Sequence, residues 1–408
     1  MTRPTLDGLT TVSVADVYKA GTLAASLRRH AEGIGFSYRA DYLDGGGPPV
    51  ATTLPLTERP VRTHAGAVPP FFAGLLPEGR RLSSLRRAVK TSADDELSLV
   101  LAVGRDAIGD VRIVPEGEEP SSPEPLVQVT KAWSEVRFAD VLEDAGVIDA
   151  VGLPGMQDKA SARMISVPIS RAGERYLLKL DPPEYPHLVE NEAFFLGLAR
   201  RVRVPSAKGQ VVHDAEGRPG LLVRRFDRVP LPDGAVRALA CEDACQVLGR
   251  WPADKYNLTT EDVVLALAEC CTARVVAVRA LYQQLCYAWL TGNGDVHAKN
   301  LSILATPDGE WQVSPAYDLP STVPYGDTSL ALSIQGRTRG VSRRHLLAFA
   351  GAVGLPERVA VRVLDDLTGR LAGLEDELRQ AALPFPQQVM ADLVAGLRHR
   401  RRQATASR

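Results

Sequence analysis

From Val12 to Val114 apolar and polar residues alternate in short runs, among them Phe36-Ser37-Tyr38-Arg39 and Val50 to Leu56, separated by turn clusters such as Asp44-Gly45-Gly46-Gly47-Pro48-Pro49. Successive side chains of a strand point to opposite faces, so this period-two alternation predicts half-buried strands. Helical spacing over Leu82 to Val89 and Asp94 to Val103, and a strand at Val111-Arg112-Ile113-Val114, complete a small α+β unit. The run PEGEEPSSPEP that follows cannot pack a core, which puts a boundary between Glu116 and Glu124.

Beyond it, Ala162 to Pro168 and Arg175 to Leu180 read as paired strands around a hairpin loop at Ser170 to Glu174, followed by a helix from Glu190 to Arg201. Gln210-Val211-Val212 and Leu221-Leu222-Val223 flank the turn residues Asp214 to Gly220, a second hairpin. After Arg228 the apolar spacing lengthens into helices over Glu242 to Leu248, Asp262 to Leu290, Arg343 to Val353, Pro356 to Gln380 and Pro386 to Arg402. The chain therefore divides into residues 1–118, a sheet-rich 119–228 and a helix-rich 229–408, with no internal repeat. A cleft between the last two is the natural ligand site.

Composition narrows the function classes. At 408 residues, 45% hydrophobic and 24% charged, the chain is globular and too long for one core. Its 48 basic and 49 acidic residues give a net charge of -1, which excludes bulk electrostatic coating of nucleic acid or anionic lipid. The first residues lack a signal-peptide core, and no stretch offers the roughly 18 uncharged apolar residues of a membrane span. All five cysteines fall between Cys241 and Cys286 without a CxxC pair, which points to reduced thiols and hence the cytoplasm. The tail Arg398-His399-Arg400-Arg401-Arg402 reads as a solvated helix end rather than a nucleic-acid patch.

The sharpest chemistry lies in Gly292-Asn293-Gly294-Asp295-Val296-His297-Ala298-Lys299-Asn300 and, eighteen residues later, Asp318 within Ala316-Tyr317-Asp318-Leu319. Phosphoryl transfer from ATP needs a carboxylate near the acceptor hydroxyl, plus an amide oxygen and a second carboxylate holding Mg²⁺ against the phosphates. An Asp, an Asn five positions on, and an Asp after a short hairpin is the order that protein kinases use. Asp295, Asn300 and Asp318 fill those places. Lys179, ending the strand Tyr176-Leu177-Leu178-Lys179-Leu180, supplies the phosphate-binding cation, with Glu190 or Glu192 on the next helix to hold it. Gly155-Met156-Gln157-Asp158-Lys159 stands where a phosphate-covering loop belongs, as a poor match to GxGxxG, and no GxxxxGK[ST] occurs. Taken singly, a strand-ending lysine is usually a surface charge and an Asp between glycines a turn residue. The joint order within about 140 residues is what outweighs those readings. His297 has no second His or Cys at ligand spacing and reads as a loop-organising residue beside the nucleotide rather than a zinc ligand.

In this order the segments resemble the HipA family, kinase toxins of bacterial type II toxin–antitoxin modules. The match runs through Phe36 to Leu43, Gly74-Leu75-Leu76-Pro77-Glu78-Gly79, Gly104 to Gly109, the Gly155 loop, Glu190-Asn191-Glu192, Arg225-Phe226-Asp227-Arg228, Glu242 to Gly249, Gly294 to Asn300 and Pro315 to Asp318. The resemblance implies an α+β fold with a two-lobed eukaryotic-kinase-like core, sheet-rich then all-helical, and an extra N-terminal α+β subdomain. It implies a serine/threonine protein kinase using ATP and Mg²⁺. Asp295 would be the catalytic base or substrate-orienting carboxylate, and Asn300 and Asp318 the metal ligands. Lys179 would bind phosphate, with Gly155, Met156, Gln157 and Lys159 in the covering loop. Lys299 would contact the transferring phosphate. Val223-Arg224-Arg225-Phe226 would be the hinge whose main chain holds adenine.

The resemblance implies as partner a HipB-type helix-turn-helix antitoxin that binds operator DNA, so that DNA is reached only through it; the sequence does not identify the phosphorylated target, for which the resemblance suggests aminoacyl-tRNA synthetases as one class. Two departures stand out: Gly152 occupies the place of an autophosphorylated loop serine, and Arg224 stands where a hinge Glu is usual. Two rivals remain, a small-molecule phosphotransferase on the same core and a co-repressor module acting with a DNA-binding partner.

Overall fold

The computed structural model describes residue 6 and residues 8–120, 127–145, 164–381 and 383–405. The phosphate-loop residues Gly155, Met156, Gln157 and Lys159, with Gly152, lie outside the described residues.

The N-terminal unit carries β1 (Val14–Lys19), β2 (Thr22–His30), β3 (Gly33–Tyr38), α1 (Ala40–Asp44), β4 (Val61–Arg62), α2 (Pro70–Gly74), α3 (Gly79–Val89), α4 (Glu96–Val103) and β5 (Val111–Pro115). Its five-stranded sheet runs β4-β3-β2-β1-β5. Val17, Leu27 and Phe36 on the inner face pack against Phe72, Leu97 and Val100 from the helices. This is the α+β unit that the alternation predicts, except that Val50 to Leu56 is a turn closed by the isolated bridge Ala51–Leu54 rather than a strand.

The second sheet takes β6 (Val127–Gln128), β7 (Ile165–Arg171), β8 (Glu174–Leu180), β9 (Gly209–His213) and β10 (Pro219–Arg224) in the order β6-β7-β8-β10-β9, with α5 (Phe138–Asp144) and α6 (Leu188–Arg201) beside it. Ala172 (φ 49°) and Gly173 (φ 80°) close the β7–β8 hairpin, the paired left-handed residues that a two-residue turn requires. The register sets Lys179 opposite Leu221 and Ser166, with Leu178 and Leu180 buried on either side of it. The strand thereby delivers one ammonium to the sheet face that α6 covers.

After β11 (Arg228–Pro230) and β12 (Val236–Ala238), β13 (Cys241–Asp243), β14 (Ser302–Ala305) and β15 (Trp311–Val313) form a small sheet. The helices are α7 (Ala244–Val247), α8 (Thr260–Cys270), α9 (Arg274–Leu290), α10 (Arg343–Ala352), α11 (Glu357–Arg370), α12 (Leu374–Gln380) and α13 (Gln387–Thr405). Among the described residues no helix is long and apolar enough to cross a membrane.

Three of the expected helices are corrected. Glu242 belongs to a strand, because Asp243 caps the helix that follows, in a reciprocal box with Gln246. Asp262 to Leu290 is two helices, because Thr272 N–H bonds Trp311 O at 2.9 Å and Trp311 N–H bonds Thr272 Oγ1 at 3.0 Å, taking the backbone out of the helical ladder. Pro356 to Gln380 also breaks, at Gly373, whose φ of 88° no helix interior accepts.

The N-terminal unit docks on the rest through buried charge. Asp227 accepts from Arg225 Nη2 at 2.8 Å, Arg228 Nη1 at 2.7 Å and Gly109 N–H at 3.0 Å, while both arginines also reach Asp106. Despite burial, the two guanidiniums hold the Asp227 carboxyl well below the usual carboxylate range. Asp227→Ala would leave two buried arginines sharing Asp106 alone and is expected to cost on the order of 3–5 kcal/mol. Thermal unfolding checks this: the midpoint should fall, and an unchanged midpoint would contradict the docking account.

Candidate active site

A cavity of about 520 Å³ lies where the three units meet, walled by Ser166, Leu177, Lys179 and Glu192 from the second sheet and α6, by Lys299, Tyr317 and Asp318 from the helical half, and by Gly74 to Pro77 and Arg81 from the N-terminal unit. Lys179 Nζ donates to Glu192 Oε1 at 2.7 Å and Oε2 at 2.9 Å, and to Asp318 Oδ1 at 3.2 Å. Burial works against the ammonium, but Asp318 and Glu192 outweigh it and hold its pKa above the ordinary lysine value. Burial, helped by the charge of Asp318, pushes the Glu192 carboxyl up although Lys179 pulls it down. Of the two glutamates that the sequence offers, Glu192 is the partner; Glu190 lies 3.9 Å from His187 instead.

Asp318 takes a second contact from Asn300 Nδ2, 2.8 Å from its Oδ2. Its φ of 55° is left-handed, an uncommon conformation for a residue with a Cβ, and Asn293 Nδ2 holds its carbonyl at 3.0 Å. The other end of the same amide, Asn293 Oδ1, accepts Asp295 N–H at 3.0 Å. One buried side chain thus ties the Asp295 loop to the Asp318 turn. Asn293 was missed as a functional residue by sequence reasoning, though it stands two positions before Asp295 in the motif. Asp295 itself is 3% exposed, and Tyr256 OH donates to its Oδ1 at 3.2 Å.

Lys299 lines the cavity, but its ammonium is engaged: it donates to Gly74 O at 2.8 Å and pairs with Asp243 at 3.2 Å. It thereby bridges α2 and β13 at the cavity wall. His297 is buried and N-caps the turn Ala298–Asn300, its N–H bonded to Asn300 Oδ1 at 3.1 Å and its ring edge-on to Tyr256. It organises the loop and does not form part of the cavity wall. At the hinge, Phe226 packs on Tyr317 with ring centroids 5.7 Å apart, and Arg224 pairs with Glu174 at 2.8 Å. Arg224 N–H bonds Lys208 O and Arg225 N–H bonds Arg175 O, so these two donors of the expected hinge are spent within the protein.

This lysine–glutamate pair, with the Asp and Asn of two successive loops brought onto it, is the arrangement of a kinase cleft. A family model described as the HipA-like C-terminal domain matches residues 151–373, and another described as the HipA N-terminal domain matches residues 15–114. The chain belongs to the HipA family.

A Sinorhizobium fredii protein named for a kinase, Y4mE, is 31% identical over 344 residues, covering 80% of this chain and 81% of the relative. The serine/threonine-protein kinase toxin HipA of Shewanella oneidensis is 28% identical over 363 residues, covering 82% of this chain and 81% of that one. Among solved structures, HipA in the Shewanella oneidensis complex of HipA, HipB and operator DNA superposes with a TM-score of 0.77 at 23% identity, over 95% of this chain and 96% of that one. The fold is thus the HipA fold, a two-lobed kinase-like core with the N-terminal unit packed against it.

Proposed function

We propose that this chain is a HipA-type serine/threonine protein kinase toxin that transfers the γ-phosphate of ATP to another protein. The observation that carries the reading is Lys179 bonded to Glu192 and Asp318 on the wall of the cavity, with Asn300 on the same Asp318 carboxylate.

When bound, ATP with Mg²⁺ supplies the phosphoryl group and the charge neutralisation that lets it leave. The residues fit such a group. Asp318 offers hard carboxylate oxygens; Asn300 faces them with its Nδ2, while its side-chain Oδ1, bonded once to His297 N–H, keeps a second lone pair for a cation. Glu192 keeps the Lys179 ammonium charged and aimed into the cavity, where it would bind α- and β-phosphate oxygens. Asp295 would orient the acceptor hydroxyl and take its proton on the carboxylate. Phe226, Arg224 and the hinge main chain would border adenine, and the segment with Gly155, Met156, Gln157 and Lys159 would cover the phosphates.

On this reading residues 1–118 form the HipA-type subdomain, 119–228 the N-lobe and 229–408 the C-lobe. The partner would be a HipB-like helix-turn-helix antitoxin in the cytoplasm, with operator DNA contacted through it and an aminoacyl-tRNA synthetase as one protein substrate to test. A lysate labelled with γ-labelled ATP provides the test. The native chain should label a discrete protein band on Ser or Thr, and label appearing only in small molecules would overturn the protein-kinase reading.

A further inference from the structure

Tyr256 stands in the loop before α8, 39 residues from Asp295 in sequence, and no nucleotide-handling motif contains it. Its hydroxyl donates to Asp295 Oδ1 at 3.2 Å, and its ring meets His297 edge-on, with centroids 5.2 Å apart and planes at 80°. The residue before it grips the same loop by its main chain, Lys255 O accepting Ala298 N–H at 3.2 Å. The Lys255 ammonium, 5.1 Å above the Tyr256 ring, is in turn ion-paired with Glu78, whose side chain comes from the N-terminal unit at the start of α3. Glu78 also stands 3.9 Å from Lys299, whose ammonium Gly74 O accepts from at 2.8 Å. The turn from Gly74 to Glu78 therefore brackets residues 295–300 through two lysines.

We infer that Tyr256 is a positioning residue for the Asp295 carboxylate, and that the N-terminal unit holds it in place through Glu78 and Lys255. The inference rests on reading Asp295 as the acceptor-orienting carboxylate. A phenol bonded to a carboxylate oxygen fixes the rotation of that group, and with it the angle at which the carboxylate meets an incoming hydroxyl. Misorientation of a catalytic group costs rate while leaving ground-state nucleotide binding alone. The two lysine bridges give the N-terminal unit a structural task at the catalytic loop as well as at the hinge.

The test uses the full chain, γ-labelled ATP and lysate protein as acceptor, with the initial rate of label transfer measured across ATP concentrations. Tyr256→Phe keeps the ring on His297 and removes only the hydroxyl. It is expected to lower the saturating rate about tenfold, the scale of one hydrogen bond to a charged group, with the ATP concentration for half-maximal rate and the thermal midpoint unchanged. Glu78→Gln should lower the saturating rate in the same way but less. A native rate in Tyr256→Phe overturns the positioning role, as does a loss that appears only as weaker ATP use or a lower midpoint. A native rate in Glu78→Gln overturns the link to the N-terminal unit. Asp295→Asn run alongside separates the two levels: if it transfers label at the native rate, the reading of Asp295 itself has failed. If it is inactive while Tyr256→Phe is native, only the positioning role has.

Discussion

Asp295→Asn is expected to lower phosphoryl transfer by about 10²–10⁴-fold, the span that a positioned general base contributes, while ATP affinity stays within about twofold. The substitution preserves shape and removes the charge. Asn293 bonds the backbone N–H of residue 295 rather than its side chain, so the loop keeps its tie to the Asp318 turn. Lys179, Glu192, Asn300 and Asp318 do not depend on the lost charge for their mutual contacts. Transfer should fail while nucleotide binding persists, and paired rate and binding measurements on one preparation check this. Near-native transfer would remove Asp295 from the chemistry.

The second large effect is expected at Asp318. Its carboxylate is shared by Lys179 on one oxygen and Asn300 on the other, so Asp318→Ala removes the proposed cation ligand and one of the two anions that hold Lys179. Mg²⁺-dependent ATP binding should weaken by at least about tenfold, or about 1.4 kcal/mol, whereas ATP binding without Mg²⁺ should change little. Alanine must still adopt the left-handed φ of 55°, and Asn293 still bonds the main-chain carbonyl, which a side-chain substitution leaves in place. A titration with and without Mg²⁺ separates the two contributions, and equal weakening in both would point to collapse of the turn.

Much of this site is legible in the sequence because it is built from ordered spacings. Lys179 falls in an apolar strand, and on α6 the positions Val189, Glu192, Leu196 and Ala199 recur every three or four residues, all buried. That spacing puts Glu192 rather than Glu190 on the inward stripe, so helical period could have chosen between them. Asp295, Asn300 and Asp318 share the loop–hairpin–turn order that β14 and β15 enforce.

What pattern could not supply comes from pairs with no periodic relation. Tyr256 and Asp295 sit in two loops, and Lys299 bonds a carbonyl 225 residues upstream. The loop motif alone does not reveal that the docked N-terminal turn also bonds this ammonium. Two of the misplaced helix boundaries have the same origin: Thr272 is pulled out of its helix by Trp311, and Asp243 is drawn into a strand by Ser302. Tertiary partners decided those elements against local propensity.

The central claim, that Lys179, Glu192, Asp318 and Asn300 enclose a nucleotide site, is tested most directly by calorimetric titration of ATP into the native chain and Lys179→Met, each with and without Mg²⁺. Saturable one-to-one binding strengthened by Mg²⁺ in the native chain and weakened by at least about tenfold in Lys179→Met is the predicted result. Absence of binding, or equal affinity in the two proteins, would contradict it.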